Sequence, residues 1–186
     1  LILLDKEDFN EYMPALDPSL WPVMNHYLKK RNLGMSVATR NGWYPSSIAG
    51  DSIPRVVIPA TSSNPANVYW QARSMNSKGE PRYQSPHAPR GDAVVVAWPI
   101  YGTLGRSVIV EGPMDALAAA EQGVIGVALM GAQPPEAALS LTMSLLRDTL
   151  ILFILDSDAP QAMTTIFTRL SSQGMKGLLR NPYPNK

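Results

Sequence analysis

The sequence predicts an α/β fold, with a parallel sheet and flanking helices in its second half and a small mixed α+β, basic first half. Three features carry that prediction. The run Ser107-Val-Ile-Val-Glu-Gly-Pro-Met-Asp115 is apolar until it breaks at Glu111 and Gly112, and a second carboxylate, Asp115, follows four residues after the first. The run Thr149-Leu-Ile-Leu-Phe-Ile-Leu-Asp156-Ser-Asp158 repeats the pattern and ends on two carboxylates. Both runs are nearly continuous in Val, Ile, Leu and Phe, as in strands covered on both faces, and a helix-length gap separates them.

In chain order, Asp17-Pro-Ser-Leu opens a helix, because Asp is a good cap and Pro is tolerated in the first turn. Leu20, Val23, Met24, Tyr27 and Leu28 then recur at helical spacing, with Gly34 after the end. Lys29, Lys30 and Arg31 fall in the last turn, where cations complement the helix dipole. Ile53-Pro-Arg-Val-Val-Ile-Pro59 reads as a β-branched strand and Asn67-Val-Tyr-Trp-Gln-Ala-Arg73 as an alternating one; the turn chemistry of Ser62-Ser-Asn-Pro-Ala-Asn67 makes them a hairpin. Residues 76–91, with Lys78, Arg82, Tyr83 and Arg90, read as an outside loop free to bind. A strand returns at Ala93-Val-Val-Val-Ala97. Beyond the Glu111 run, Pro134–Arg147 and Pro160–Leu170 are amphipathic helices opened by prolines, and Met175–Arg180 is a last short strand. The division expected from these textures is 1–105 and 106–186.

Composition sets bounds. The chain has 186 residues and 45% hydrophobic content, enough for a packed core in one domain or two small ones. With no cysteine there is neither a disulfide nor a Cys-type zinc site, and two histidines do not make one. A net charge of +1 does not by itself call for nucleic acid, so any basic surface comes from uneven placement. No apolar run reaches the roughly 18 residues of a membrane span. The opening Leu-Ile-Leu-Leu-Asp lacks the basic flank of a signal peptide, so a cytoplasmic setting is expected. It also lacks a methionine and reads as part of a longer protein.

Parallel strands present their carboxyl ends at one edge, so Glu111, Asp115, Asp156 and Asp158 are expected to converge. Four carboxylates in one crevice repel one another unless a cation sits among them, and Mg2+ or Mn2+ takes oxygen ligands of this kind. The plain alternative for any one of them is a helix cap.

The pair Glu111-Gly-Pro-Met-Asp115 and Asp156-Ser-Asp158 resembles the Toprim signature of bacterial and phage-type DNA primases, type IA and type II topoisomerases and some nucleases. Gly131, in Val127-Ala-Leu-Met-Gly131, falls where primases place a strand ending in a Leu-Gly turn. The first half looks like a primase too. Tyr27-Leu-Lys-Lys-Arg-Asn-Leu-Gly34 is similar to the helix that opens the primase core, and Arg55-Val-Val-Ile-Pro59 to an Arg-Val-Ile-Phe-Pro strand. Gln71-Ala-Arg73 is similar to Gly-Gly-Arg, Pro81-Arg-Tyr-Gln-Ser-Pro86 to Pro-Lys-Tyr-x-Asn-Ser-Pro, and Ile100-Tyr-Gly102 to Leu-Tyr-Gly. Topoisomerases and Toprim nucleases do not place this module before the Glu-Gly strand.

The resemblance, spanning roughly residues 20 to 186, implies the RNA-polymerase core of a phage, plasmid or bacterial DNA primase. Such a core makes short RNA primers on single-stranded DNA from ribonucleoside triphosphates during replication, and works with a replicative helicase through regions outside this chain. It implies that Glu111, Asp156 and Asp158 are catalytic and hold the metals, with Glu111 either a ligand or a general base and Asp115 a further ligand or an orienting group. Arg55, Arg73, Lys78, Arg82 and Tyr83 then bind nucleotide or template. The sequence departs from the family at Arg82, where lysine is usual, and at Pro160-Gln161 in place of Ala-Gly. In primases a third acidic motif follows the strand that here leads to Lys186. Two readings stay open beside the primase: a Toprim nuclease or topoisomerase fragment, and a non-catalytic Toprim accessory protein that binds single-stranded DNA.

Overall fold

The computed structural model describes residues 13–48, 52–66, 68–76, 81–87, 90–102, 105–131, 133–154, 160–175 and 177–179. The chain divides into two units, Leu1–Arg90 and Gly91–Lys186.

In the first unit, Asp17 caps a 3-10 turn, Pro18–Leu20, by accepting from the Ser19 amide at 3.0 Å and from the Ser19 hydroxyl at 2.6 Å. Helix α1, Trp21–Lys29, follows and buries Met24, Tyr27 and Leu28, the stripe read from the spacing. Gly34 does more than follow its end: it is the N-cap of a second helix, α2 (Met35–Arg40), too short to declare itself by periodicity.

Strands β1 (Tyr44–Ser47), β2 (Pro54–Pro59), β3 (Trp70–Ser74) and β4 (Tyr83–Gln84) form an antiparallel sheet in that order. The expected hairpin is β2–β3, with Val57 opposite Ala72. The stretch read as a free loop contains β4, which places Tyr83 opposite Arg73. Two residues are too few to show alternation, so only the pairing reveals it.

The second unit holds a five-stranded sheet ordered β5-β7-β6-β8-β9, built from β5 (Val95–Ala97), β6 (Arg106–Val110), β7 (Ile125–Ala128), β8 (Leu150–Phe153) and β9 (Gly177–Leu179). The pairs β6–β7, β6–β8 and β8–β9 are parallel; β5 runs antiparallel to β7 as an edge strand. With β5 in this sheet, the division between the two units falls at Arg90/Gly91. The residues Ala93–Ala97 are all buried, and their apolar surface is covered in this sheet, with Val95 opposite Ala128.

Helices α3 (Pro113–Glu121), α4 (Glu136–Leu146) and α5 (Pro160–Ser172) complete the unit. Ile125, Val127 and Phe153 share a core with Leu139, Leu146 and Leu170 of α4 and α5. The alternate residue Gly126 faces α3, because side chains along a strand point to opposite faces. A Cβ on Gly126 would lie 2.1 Å from the Ala116 carbonyl oxygen, so this glycine sets how closely α3 packs on the sheet.

Candidate functional site

The parallel register brings three strand ends to one edge of the second sheet. Val110 stands opposite Ala128, and Ile109 opposite Phe153. The ladder runs on past the strands: the Leu129 amide donates to the Val110 carbonyl at 3.0 Å, Met130 to Glu111 at 2.9 Å and Ile154 to Ile109 at 2.9 Å. Glu111 thus leaves the central strand half-buried, its backbone held by the turn at Met130-Gly131, where both residues have positive φ. From β6 the chain turns to β7 on one side; from β8 it turns to β9 on the other. The crevice between β6 and β8 is therefore the point where the winding of the sheet reverses, the place where open α/β sheets bind ligands.

Asp115 lies in the first turn of α3, exposed, on a helix whose N-cap is Gly112. Its Oδ2 lies 3.0 Å from where a Cβ of Gly112 would stand, so the carboxylate folds back over the Glu111–Gly112 corner. The glycine of Glu-Gly leaves that space open. Two carboxylates at one corner, both oxygen donors, fit a hard divalent cation. Asp156 and Asp158 lie outside the described residues, and so does Lys78. Replacing Gly112 with Ala is expected to cost only about 1 kcal/mol of stability, since the N-cap φ of −105° suits alanine. The same change crowds Asp115, and thermal unfolding with and without Mn2+ would detect the expected weakening of any metal-dependent stabilisation.

The basic residues of the first unit occupy very different surroundings. Arg55 is fully buried, and its Nη1 donates to the carbonyls of Ala72, at 3.4 Å, and Pro81, at 2.9 Å. These two bonds make Arg55 a brace between β3 and the segment entering β4. Arg73 is 6% exposed. Its Nε donates to the Tyr27 hydroxyl at 2.6 Å, its Nη1 bonds the Tyr83 hydroxyl, and its guanidinium carbon lies 4.9 Å from the Tyr83 ring centroid. Burial acts against the charge on Arg73, but the two phenol oxygens outweigh it and hold its pKa above the ordinary value. Burial likewise raises the pKa of Tyr83, with Arg73 pulling the other way. Arg82 is exposed beside it. Tyr27, read from the sequence as a core position and as the start of the primase-like helix stretch but not as a binding residue, is part of this cluster. Its helical spacing with Met24 and Leu28 concealed it.

A family model for Toprim-like domains matches residues 108–181. In fold, the chain is similar to the zinc-binding and RNA polymerase domains of the Aquifex aeolicus primase, with a TM-score of 0.57 and 18% identity over 83% of this chain and 48% of that one. It is also similar to the DnaG catalytic core, with a TM-score of 0.58 and 13% identity over 89% of this chain and 66% of that one. The chain spans about half of the first of these and just under two thirds of the second. No curated protein sequence matches it. Residues 108–181 thus match the model of Toprim-like domains, and the chain shares its fold with the Aquifex aeolicus primase domains and the DnaG catalytic core.

Proposed function

We propose that this chain is the catalytic core of a DNA primase, a nucleotidyltransferase that makes short RNA primers on single-stranded DNA during replication. One observation carries the reading: Glu111 emerges at the reversal point of the parallel sheet, beside the strand that leads into Asp156-Ser-Asp158. The Ile154 amide is bonded to Ile109, and Asp156 follows two residues later, a reach of about 7 Å of chain. Glu111, Asp115, Asp156 and Asp158 would hold Mg2+ or Mn2+. When bound, the metal neutralises triphosphate charge and helps activate the attacking 3′-oxygen. Glu111 serves as a ligand or accepts the proton of that hydroxyl.

The first unit supplies the grip on phosphate. Residues 1–90 carry ten Lys and Arg against seven Asp and Glu, and residues 91–186 six against eight, so the near-neutral total hides a basic unit and an acidic one. In this reading Arg73, Lys78 and Arg82 contact template or nucleotide, arginine through its planar fork, and Arg55 supports them from within. A replicative helicase would be met through regions outside this chain.

The test is primer synthesis on mixed-sequence single-stranded DNA with labelled ribonucleotides and Mg2+ or Mn2+, using the full-length protein and its Asp156→Asn variant. Short metal-dependent RNA products that the substitution abolishes are expected. Degradation of the template would move the assignment to a nuclease. DNA binding without any metal-dependent activity, and indifferent to Glu111→Gln, would make the protein a non-catalytic accessory.

A further inference from the structure

We propose that Tyr27 and Tyr83 are positioning residues that lock the guanidinium of Arg73 so that its Nη2 edge takes a phosphate group. The inference rests on the primase reading for the source of that phosphate, either the template backbone or a nucleoside triphosphate. Three elements converge on the guanidinium: α1 through Tyr27, β4 through Tyr83, and β3, which carries Arg73 itself. The bonds use Nε and Nη1; Nη2 makes no hydrogen bond among the described residues.

Among the described residues no carboxylate contributes to the electrostatics of this buried cation; its partners there are the two phenols. Asp17 is the single carboxylate among the described residues of the unit, and it is engaged with Ser19 and Ser47. Buried cations are ordinarily paired with an acid. A carboxylate would both orient and neutralise Arg73. A phenol orients it and leaves the charge for a ligand. Tyr27 is itself backed by Arg31, whose guanidinium carbon lies 4.6 Å from its ring centroid, so a second cation adjoins the cluster.

The test titrates the full chain with fluorescein-labelled oligo(dT), and separately with a labelled ribonucleoside triphosphate, over a series of salt concentrations. The proteins are wild type, Tyr27→Phe, Tyr83→Phe, Arg73→Gln and the double variant Tyr27→Phe/Arg73→Gln, each checked for cooperative thermal unfolding. Each phenylalanine variant is expected to weaken binding about fivefold, the size of one lost hydrogen bond. Arg73→Gln should weaken it more, and should lower the salt slope for DNA by about one phosphate contact if the template is the ligand. The double variant should match Arg73→Gln alone, because the phenol acts only through the guanidinium. A loss confined to the nucleotide would assign the edge to the triphosphate.

Additive effects in the double variant, or unweakened binding in the folded phenylalanine variants, would overturn the proposal and leave the tyrosines as packing. Wild-type affinity in Arg73→Gln would overturn it at the guanidinium itself. Priming by the same variants tests the primase reading independently.

Discussion

Glu111→Gln is expected to lower the rate of primer synthesis by about a hundredfold or more, the usual scale for loss of one group that meets developing charge. The substitution keeps the shape of the side chain and removes its charge. Glu111 leaves the central strand with its carbonyl already bonded to Met130, so the backbone corner has no reason to move. The backbone course of the corner should therefore be kept. Without metal the fold should gain slightly, by about 0–1 kcal/mol, because one of several like charges at the sheet edge is gone. The combination is diagnostic: rates from labelled ribonucleotide incorporation fall while the unfolding temperature holds or rises. An unchanged rate would remove Glu111 from the chemistry.

Gly126→Ala should be among the most damaging single substitutions in the second unit. The added Cβ would lie 2.1 Å from the Ala116 carbonyl oxygen and 2.7 Å from the Ala116 carbonyl carbon and Cα. All three are backbone atoms, so no side chain can swing aside. Either α3 lifts from the sheet or β7 shifts, and overpacking of this kind costs about 3 kcal/mol. In a unit of this size that lowers the unfolding temperature by about 10 °C or more. Gly174→Ala is the natural comparison. Its φ is +92° but nothing lies within 4 Å of the new Cβ, so it should cost only about 1 kcal/mol, from backbone strain alone. Equal losses at the two positions, measured by thermal or urea unfolding, would refute the close-packing account. Because α3 also carries Asp115, Gly126→Ala should weaken the carboxylate corner along with the fold.

The end of the central strand at Glu111 was legible in the residues themselves. Strands buried on both faces must be apolar throughout, so the point where Val110 gives way to Glu111 is conspicuous, and so is the break at Asp156. The first half was less legible. Ala93–Ala97 reads as a strand anywhere, and nothing local says which sheet it joins. Arg55 and Arg73 look alike as arginines in or beside β-branched runs, yet one is a fully buried brace and the other a phenol-held cation.

By itself the sequence determined the α/β class, the hairpin of the first unit, the helices after β6, β7 and β8, and Glu111 and Asp115 as neighbours at one corner. All of these are local: periodicity, caps, turns and strand length act over a few residues. Only the tertiary structure decided the strand order, the transfer of β5 to the second sheet, the clearance at Gly126 and the joining of Arg73 to Tyr27 across 46 positions. Pairing and packing between distant segments depend on which surfaces must be covered together, and no single stretch of chain contains that information.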